Sequence, residues 1–211
     1  MKKLLVVLGL LVLVPGLALA QTASTGLQAN YYVDYYSNNA GPVPGAPDQT
    51  VRIINVGLGG TPLSSPYGDI CANIYVFDNA QELIACCAQR ITPNELDSAS
   101  VGTQLTNNPV TSVVPKAGVI KMVLTPAGKI CDPTGGLFDE TAATSLTSAY
   151  SLGVVFGSHL QVTGGGTFVT ETELSPSYLS RDEAWFLPTA CAFAEYLGSG
   201  KGICTSSVPG K

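Results

Sequence analysis

From Gly26 the chain alternates. Leu27, Ala29, Tyr31, Val33 and Tyr35 share one parity; Gln28, Asn30, Tyr32, Asp34 and Tyr36 share the other. A period of two, rich in aromatic and β-branched residues, predicts a strand. Further apolar runs predict strands over Val51–Val56, Ala72–Phe77, Leu83–Ala88, Gly118–Thr125, Ala149–Phe156, His159–Thr163 and Phe168–Leu174. Ile120, Met122 and Leu124 share one face of theirs. Asp78–Glu82 reads as the turn of a β-hairpin, and Gly164-Gly165-Gly166 joins the last two runs. Gly, Pro, Ser and Asn fill the loops Ser37–Asp48 and Gly57–Gly68.

Two capping boxes predict helices. Thr92-Pro93-Asn94-Glu95 places Pro at a first helical position and predicts a short helix over Pro93–Ser98. Ser180-Arg181-Asp182-Glu183 opens a second, along which Trp185, Cys191, Ala194 and Leu197 recur at helical intervals. Gly198 is the expected stop, and Pro188 should kink the helix or split it. The expected fold is all-β: a disulfide-stapled antiparallel β-sandwich with a short helix and a C-terminal helical segment.

The first residues follow a different rule. Lys2 and Lys3 precede an apolar run from Leu4 to Val14, then Pro15-Gly16 and the small-x-small pattern Ala18-Leu19-Ala20. This predicts a secretory signal peptide cleaved before Gln21. Eleven helical residues reach about 16 Å, against about 30 Å of hydrocarbon, so a membrane anchor is the poorer reading. Gln21 is not a cysteine, so lipid attachment there is not expected. The expected organisation is 1–20 signal peptide, 21–49 N-terminal strand and Pro/Gly loop, and 50–211 β-sandwich domain with C-terminal helix and disulfide clip.

Composition narrows the function. The 211 residues are 45% hydrophobic and only 12% charged, against about 25% charged in an average domain. Charge-driven disorder and coiled coils are excluded, and the surface must be largely Ser, Thr, Asn, Gln and Gly. Ten basic residues against fifteen acidic ones, a net charge of -5, exclude a basic nucleic-acid binder. Loss of Lys2 and Lys3 with the signal takes the net charge to -7. Such a surface suits an exported protein, in the periplasm or outside the cell, with no integral membrane segment after cleavage.

Cys71, Cys86, Cys87, Cys131, Cys191 and Cys204 make an even set, which an oxidising compartment turns into three disulfides. Cys86 and Cys87 are adjacent in a predicted strand, so their side chains point to opposite faces. The expected pairing has one of them reach Cys71 across the hairpin and the other reach Cys131, leaving Cys191 to Cys204. A metal site is the poorer reading, because no C-x-x-C occurs and His159 is the one histidine.

Arg52-Ile53-Ile54-Asn55, the block Cys71–Asp78, Ala85-Cys86-Cys87-Ala88, Ile91-Thr92-Pro93-Asn94 and Gly198–Cys204 resemble a family of uncharacterised exported bacterial proteins of the acidobacterial type. The resemblance covers most of the chain from Thr50 onward. It implies export and no particular mechanism. Members carry a further cysteine where this chain has Gln89, which leaves the pairing of Cys86 and Cys87 open.

Catalytic motifs are weak. His159 follows Gly157-Ser158 and opens a predicted strand, but no G-x-S-x-G elbow occurs. It reads as a surface or strand-end residue. Gly198-Ser199-Gly200-Lys201-Gly202 departs from a phosphate loop where Ser or Thr should follow the lysine, and reads as a helix stop and a flexible link to Cys204. Asp132, Asp139 and Glu140 flank a Gly-Gly loop and read as solvated carboxylates rather than a Ca²⁺ site. No catalytic residue, metal or cofactor is expected. Tyr31, Tyr32, Tyr35 and Tyr36 form the one candidate interaction surface, with Tyr32 and Tyr36 expected exposed beside Asp34. The expected role is a secreted non-enzymatic structural or adhesive module. Its expected partner is a second copy, met through an edge strand over Gly26–Tyr36. The alternatives are a module that binds carbohydrate, such as an extracellular polysaccharide, or another ligand through those tyrosines and, less favoured, a hydrolase.

Overall fold

The apolar runs flanking Asp78–Glu82 form the predicted hairpin: β3 (Ile70–Asp78) pairs antiparallel with β4 (Leu83–Ile91). The computed structural model describes residues 30–37, 48–57, 68–127, 130–135, 137 and 151–205. The expected signal segment, Asp139 and Glu140 lie outside the described residues. Around the hairpin stand β1 (Tyr31–Tyr36), β2 (Thr50–Asn55), β5 (Leu96–Ser100), β6 (Gly118–Pro126), β7 (Gly153–Thr163), β8 (Gly166–Glu173) and the helix α1 (Arg181–Gly198).

The strands form two four-stranded antiparallel sheets, ordered β1-β6-β3-β4 and β5-β2-β7-β8. Their inner faces meet in one core. β3 contributes Ile70, Ala72, Ile74 and Val76, β6 contributes Ile120, Met122 and Leu124, and β2 and β7 contribute Ile53 and Val155. The opposite parity of β3, with Tyr75 and Phe77, faces a second apolar cluster with Leu187 and Cys191 of α1. The first sheet is therefore covered on both faces, which is why β3 reads as a continuous apolar run rather than an alternation. This is the disulfide-stapled β-sandwich the patterning predicts.

Three local expectations give way. Thr92–Glu95 makes its capping contacts, with Thr92 N–H and Oγ–H both donating to Glu95 Oε2 at 2.7 Å. No helix follows. Asn94 adopts a left-handed φ of 64°, and the chain turns into β5, because Leu96–Ser100 finds a partner in β2. The two runs around Gly157-Ser158 are one strand, β7. Pro188 lies inside α1 without splitting it. The second box behaves as expected: Ser180 Oγ accepts the Glu183 N–H at 3.1 Å, and Ser199 closes the helix in a left-handed conformation.

The three disulfides are Cys71–Cys131, Cys86–Cys191 and Cys87–Cys204. All three expected pairings are overturned: neither Cys71 nor Cys131 bonds to Cys86 or Cys87, and Cys191 does not bond to Cys204. In the β3–β4 register Cys71 stands opposite Arg90, with Cys86 opposite Tyr75. Four residues of strand separate the pair by about 13 Å, well beyond disulfide reach. Adjacency of Cys86 and Cys87 does send them to opposite faces. Cys86 faces α1 and takes Cys191; Cys87 faces the sandwich core and takes Cys204. The tail reaches Cys87 by running along the free edge of β4. There Cys86 N–H donates to the Gly202 carbonyl at 2.7 Å and Cys204 N–H to the Cys86 carbonyl at 3.2 Å. The expected flexible link is thus hydrogen-bonded in place.

Candidate functional site

β1 is an edge strand of the covered sheet and carries all four tyrosines of the cluster; residues 26–29 of the expected strand lie outside the described residues. Its faces are the reverse of the expectation. Tyr32, Asp34 and Tyr36 point into the sandwich and are buried, while Val33 and Tyr35 are exposed. Tyr31 is buried on the other face, in the cluster beneath α1. Tyr32 and Tyr36 can go inside because their hydroxyls find partners there. Tyr32 donates to the Gly153 carbonyl at 2.8 Å and lies 2.6 Å from Ser151 Oγ; Tyr36 donates to the Phe77 carbonyl at 3.0 Å. Burial pushes all three phenols above their usual range, Tyr31 also through the charge of Glu183. Of the four tyrosines, only Tyr35 offers a ring to solvent.

Behind that ring sits the one histidine. His159, in the middle of β7, meets Asp34 Oδ1 with its Nε2 at 3.0 Å. The Tyr35 ring stacks on the imidazole, centroids 4.4 Å apart and planes 23° apart. The same Asp34 oxygen accepts the Tyr35 N–H at 2.8 Å. Gly157 makes room for this carboxylate: a Cβ there would stand 2.1 Å from Asp34 Oδ2. Burial raises the Asp34 pKa; the charge of His159 and the hydrogen bonds from Tyr35 and His159 pull it back. The pair joins β1 of one sheet to β7 of the other. His159 is therefore a half-buried bridge between sheets, not a surface or strand-end residue.

The arrangement does not form a Ser-His dyad. Ser158 and His159 are neighbours in a strand, so their side chains leave on opposite faces. Ser158 Oγ accepts the Thr50 N–H at 2.7 Å and lies 2.9 Å from Thr50 Oγ1. Among the described residues, Cys86, Cys191 and Glu195 come within 4.8 Å of one another. The two sulfurs are bonded to each other, so no thiolate is offered to a metal. Asp132 spends its carboxylate on its own turn, accepting from Thr134 N–H at 2.9 Å and Oγ–H at 2.7 Å.

A surface that the sequence reading missed lies on α1. Of the helical series Trp185, Cys191, Ala194 and Leu197, only Cys191 and Ala194 are buried. The buried series is Ala184, Leu187, Cys191 and Ala194, spaced by three and four. The remaining aromatic residues, Trp185, Phe186, Phe193 and Tyr196, are exposed. Spacings of seven between Phe186 and Phe193 and eleven between Trp185 and Tyr196 are the signal that places them on one face.

Comparison with known proteins adds little. No protein-family model and no curated protein matches the chain. One solved structure, "Crystal Structure of Thermotoga maritima 1070", is similar at a TM-score of 0.40 and 12% identity, over 72% of this chain and 97% of that one.

Proposed function

We propose that this chain is an exported, non-enzymatic structural or adhesive module that works by presenting rigid surface outside the cytoplasm. One observation carries the reading: α1, the tail and the segment around Cys131 are each covalently pinned to the first sheet. The segment around Cys131 is tied to β3, and α1 and the tail are tied to β4. Each bond closes a loop of 60 to 117 residues, and a loop of that length stabilises the fold by on the order of 4 kcal/mol when closed. Such bonds persist in oxidising compartments. The N-terminal signal pattern points to the same place.

The test is expression of the full chain in a bacterium, followed by fractionation and thiol alkylation without reduction. The expected result is protein outside the cytoplasm, beginning at Gln21, unmodified by the alkylating reagent, and retained on cell surfaces or in assembled material under negative stain. Cytoplasmic protein with alkylated cysteines would reject the reading.

A second reading is carbohydrate binding at Tyr35. The exposed ring is braced from behind by His159, itself held by Asp34, and a fixed exposed aromatic plate suits stacking on a sugar ring. Tyr35→Ala should abolish retention on insoluble polysaccharide if this is the working site.

A further inference from the structure

We propose that the outer face of α1 is the interface through which two copies of this chain pair as a twofold-symmetric dimer. The face is made by Trp185, Phe186, Phe193, Tyr196 and Leu197. It runs the length of an 18-residue helix, with Thr189 and Ala192 along its middle. Its charged residues, Asp182 and the flanking Arg181, are both confined to the N-terminal end.

Area decides first. Aromatic side chains carry about 150–250 Å² each. With Trp185 73%, Phe186 47%, Phe193 63%, Tyr196 83% and Leu197 55% exposed, the face offers roughly 600 Å² of apolar surface. That is the upper end of the patches a monomer leaves open, about 300–600 Å². Two such faces in contact bury roughly 1,200 Å², where specific interfaces begin.

The shape suits a second copy. A twofold interface uses the same patch on both partners, so the patch must complement itself. Antiparallel pairing about an axis near the helix centre lays Trp185 of one copy against the Tyr196–Leu197 end of the other. The small residues Thr189 and Ala192 let the helices approach, and the aromatic rings flank them. Like charges do not meet at the centre, because the centre carries none. The face is also held ready. The Cys86–Cys191 bond fixes α1 to β4, and Phe186 stacks on Phe77, centroids 6.3 Å apart. A rigid face loses little conformational freedom on binding. A bilayer surface is the poorer occupant: membrane-surface helices flank their apolar face with Lys and Arg, whereas α1 carries Arg181 alone and its last turn has no basic residue.

The inference rests on the functional reading in one respect, that the chain works through its surface. Trp185 is the only tryptophan of the chain, so its emission reports burial of this face directly. Sedimentation equilibrium and tryptophan emission are measured on the native oxidised protein from nanomolar to high micromolar concentration. The expected result is a doubling of mass with a parallel blue shift. Phe193→Glu should raise the dissociation constant by about thirtyfold or more with unchanged circular dichroism and melting. Tyr196→Ala provides the same test without an added charge, and Tyr35→Glu on β1 should leave pairing intact. A monomer at every concentration, a dimer indifferent to both α1 variants, or a dimer abolished by Tyr35→Glu overturns the proposal. So does a blue shift on uncharged phosphatidylcholine vesicles by a protein that stays monomeric. A monomer still retained on cell surfaces or polysaccharide overturns the dimer and leaves the functional reading standing; a dimer with no such retention does the reverse.

Discussion

The two sheets of the sandwich are built to different standards. In the β1-β6-β3-β4 sheet both faces are covered, one by the opposing sheet and one by α1. All three disulfides end on it, at Cys71, Cys86 and Cys87. The β5-β2-β7-β8 sheet packs its inner face on the same core, and no disulfide of the described residues touches it. Its edge strand β8 is largely exposed, and its outer face is bridged by an exposed Arg52–Glu171 ion pair at 2.6 Å. Such pairs contribute little. The difference shows that covalent reinforcement in this fold is concentrated in one layer, with the other layer joined to it through the shared core and the Asp34–His159 bridge.

Core truncation should expose the contrast most sharply. Ile74→Ala, in a fully buried position of β3, should cost about 3–4 kcal/mol in chemical denaturation, through lost burial and a residual cavity. Val162→Ala, half exposed on β7, should cost under about 1 kcal/mol. Equal losses would erase the distinction between the shared core and the open end of β7. Next, replacing Cys86 and Cys191 together by Ser should cost on the order of 4 kcal/mol, measured without reductant. A loss below about 1 kcal/mol would mean that packing alone holds α1.

Two glycines sharpen the comparison at smaller amplitude. Gly157→Ala drives a Cβ into the Asp34 carboxylate and should cost about 1–3 kcal/mol, relieved in part by a second Asp34→Ala change. Gly165→Ala, at the tip of the β7–β8 hairpin, meets nothing within 4 Å and should leave the melting temperature in place. The smallest expected effect is the pH dependence of the bridge. Burial raises the Asp34 pKa above its ordinary value of 3.8, so the folded state holds that proton more tightly than the unfolded chain. Its relative stabilisation is complete below 3.8 and is lost as pH rises through the raised folded value. Melting curves of Asp34→Asn against the parent across pH should therefore show the parent's relative stability falling as pH rises. A difference that grows with pH would mean that the ion pair with His159 outweighs burial.

Much of this was legible along the chain, because it is local. The β3–β4 hairpin, the facing of Ile120, Met122 and Leu124, and the Ser180 cap all depend on neighbours within a few residues. The Thr92 box marks the limit of such reading. Its side chains make the expected contacts, but the same contacts also close a turn, and the five residues that follow pair with β2. The candidate site was less legible. The four tyrosines of Tyr31–Tyr36 were visible as a cluster, but which of them face solvent depends on what covers each side of β1. Asp34 and His159 lie 125 residues apart, and no motif links them.

The sequence by itself determined the all-β class, the run of short strands, the even set of cysteines and the start and stop of α1. Backbone propensity, side-chain periodicity and capping chemistry act over a turn or a strand, and those are written in consecutive residues. Tertiary structure alone decided the disulfide partners, the inward turn of Tyr32 and Tyr36, the Asp34–His159 bridge and the outward face of α1. Each depends on register and on which layer covers which face. Cys71 and Cys86 share a hairpin but stand four positions apart along it, while Cys86 and Cys191, 105 residues apart in sequence, are brought together where the helix crosses the strand. Those distances are set by packing between elements, a quantity that no stretch of consecutive residues contains.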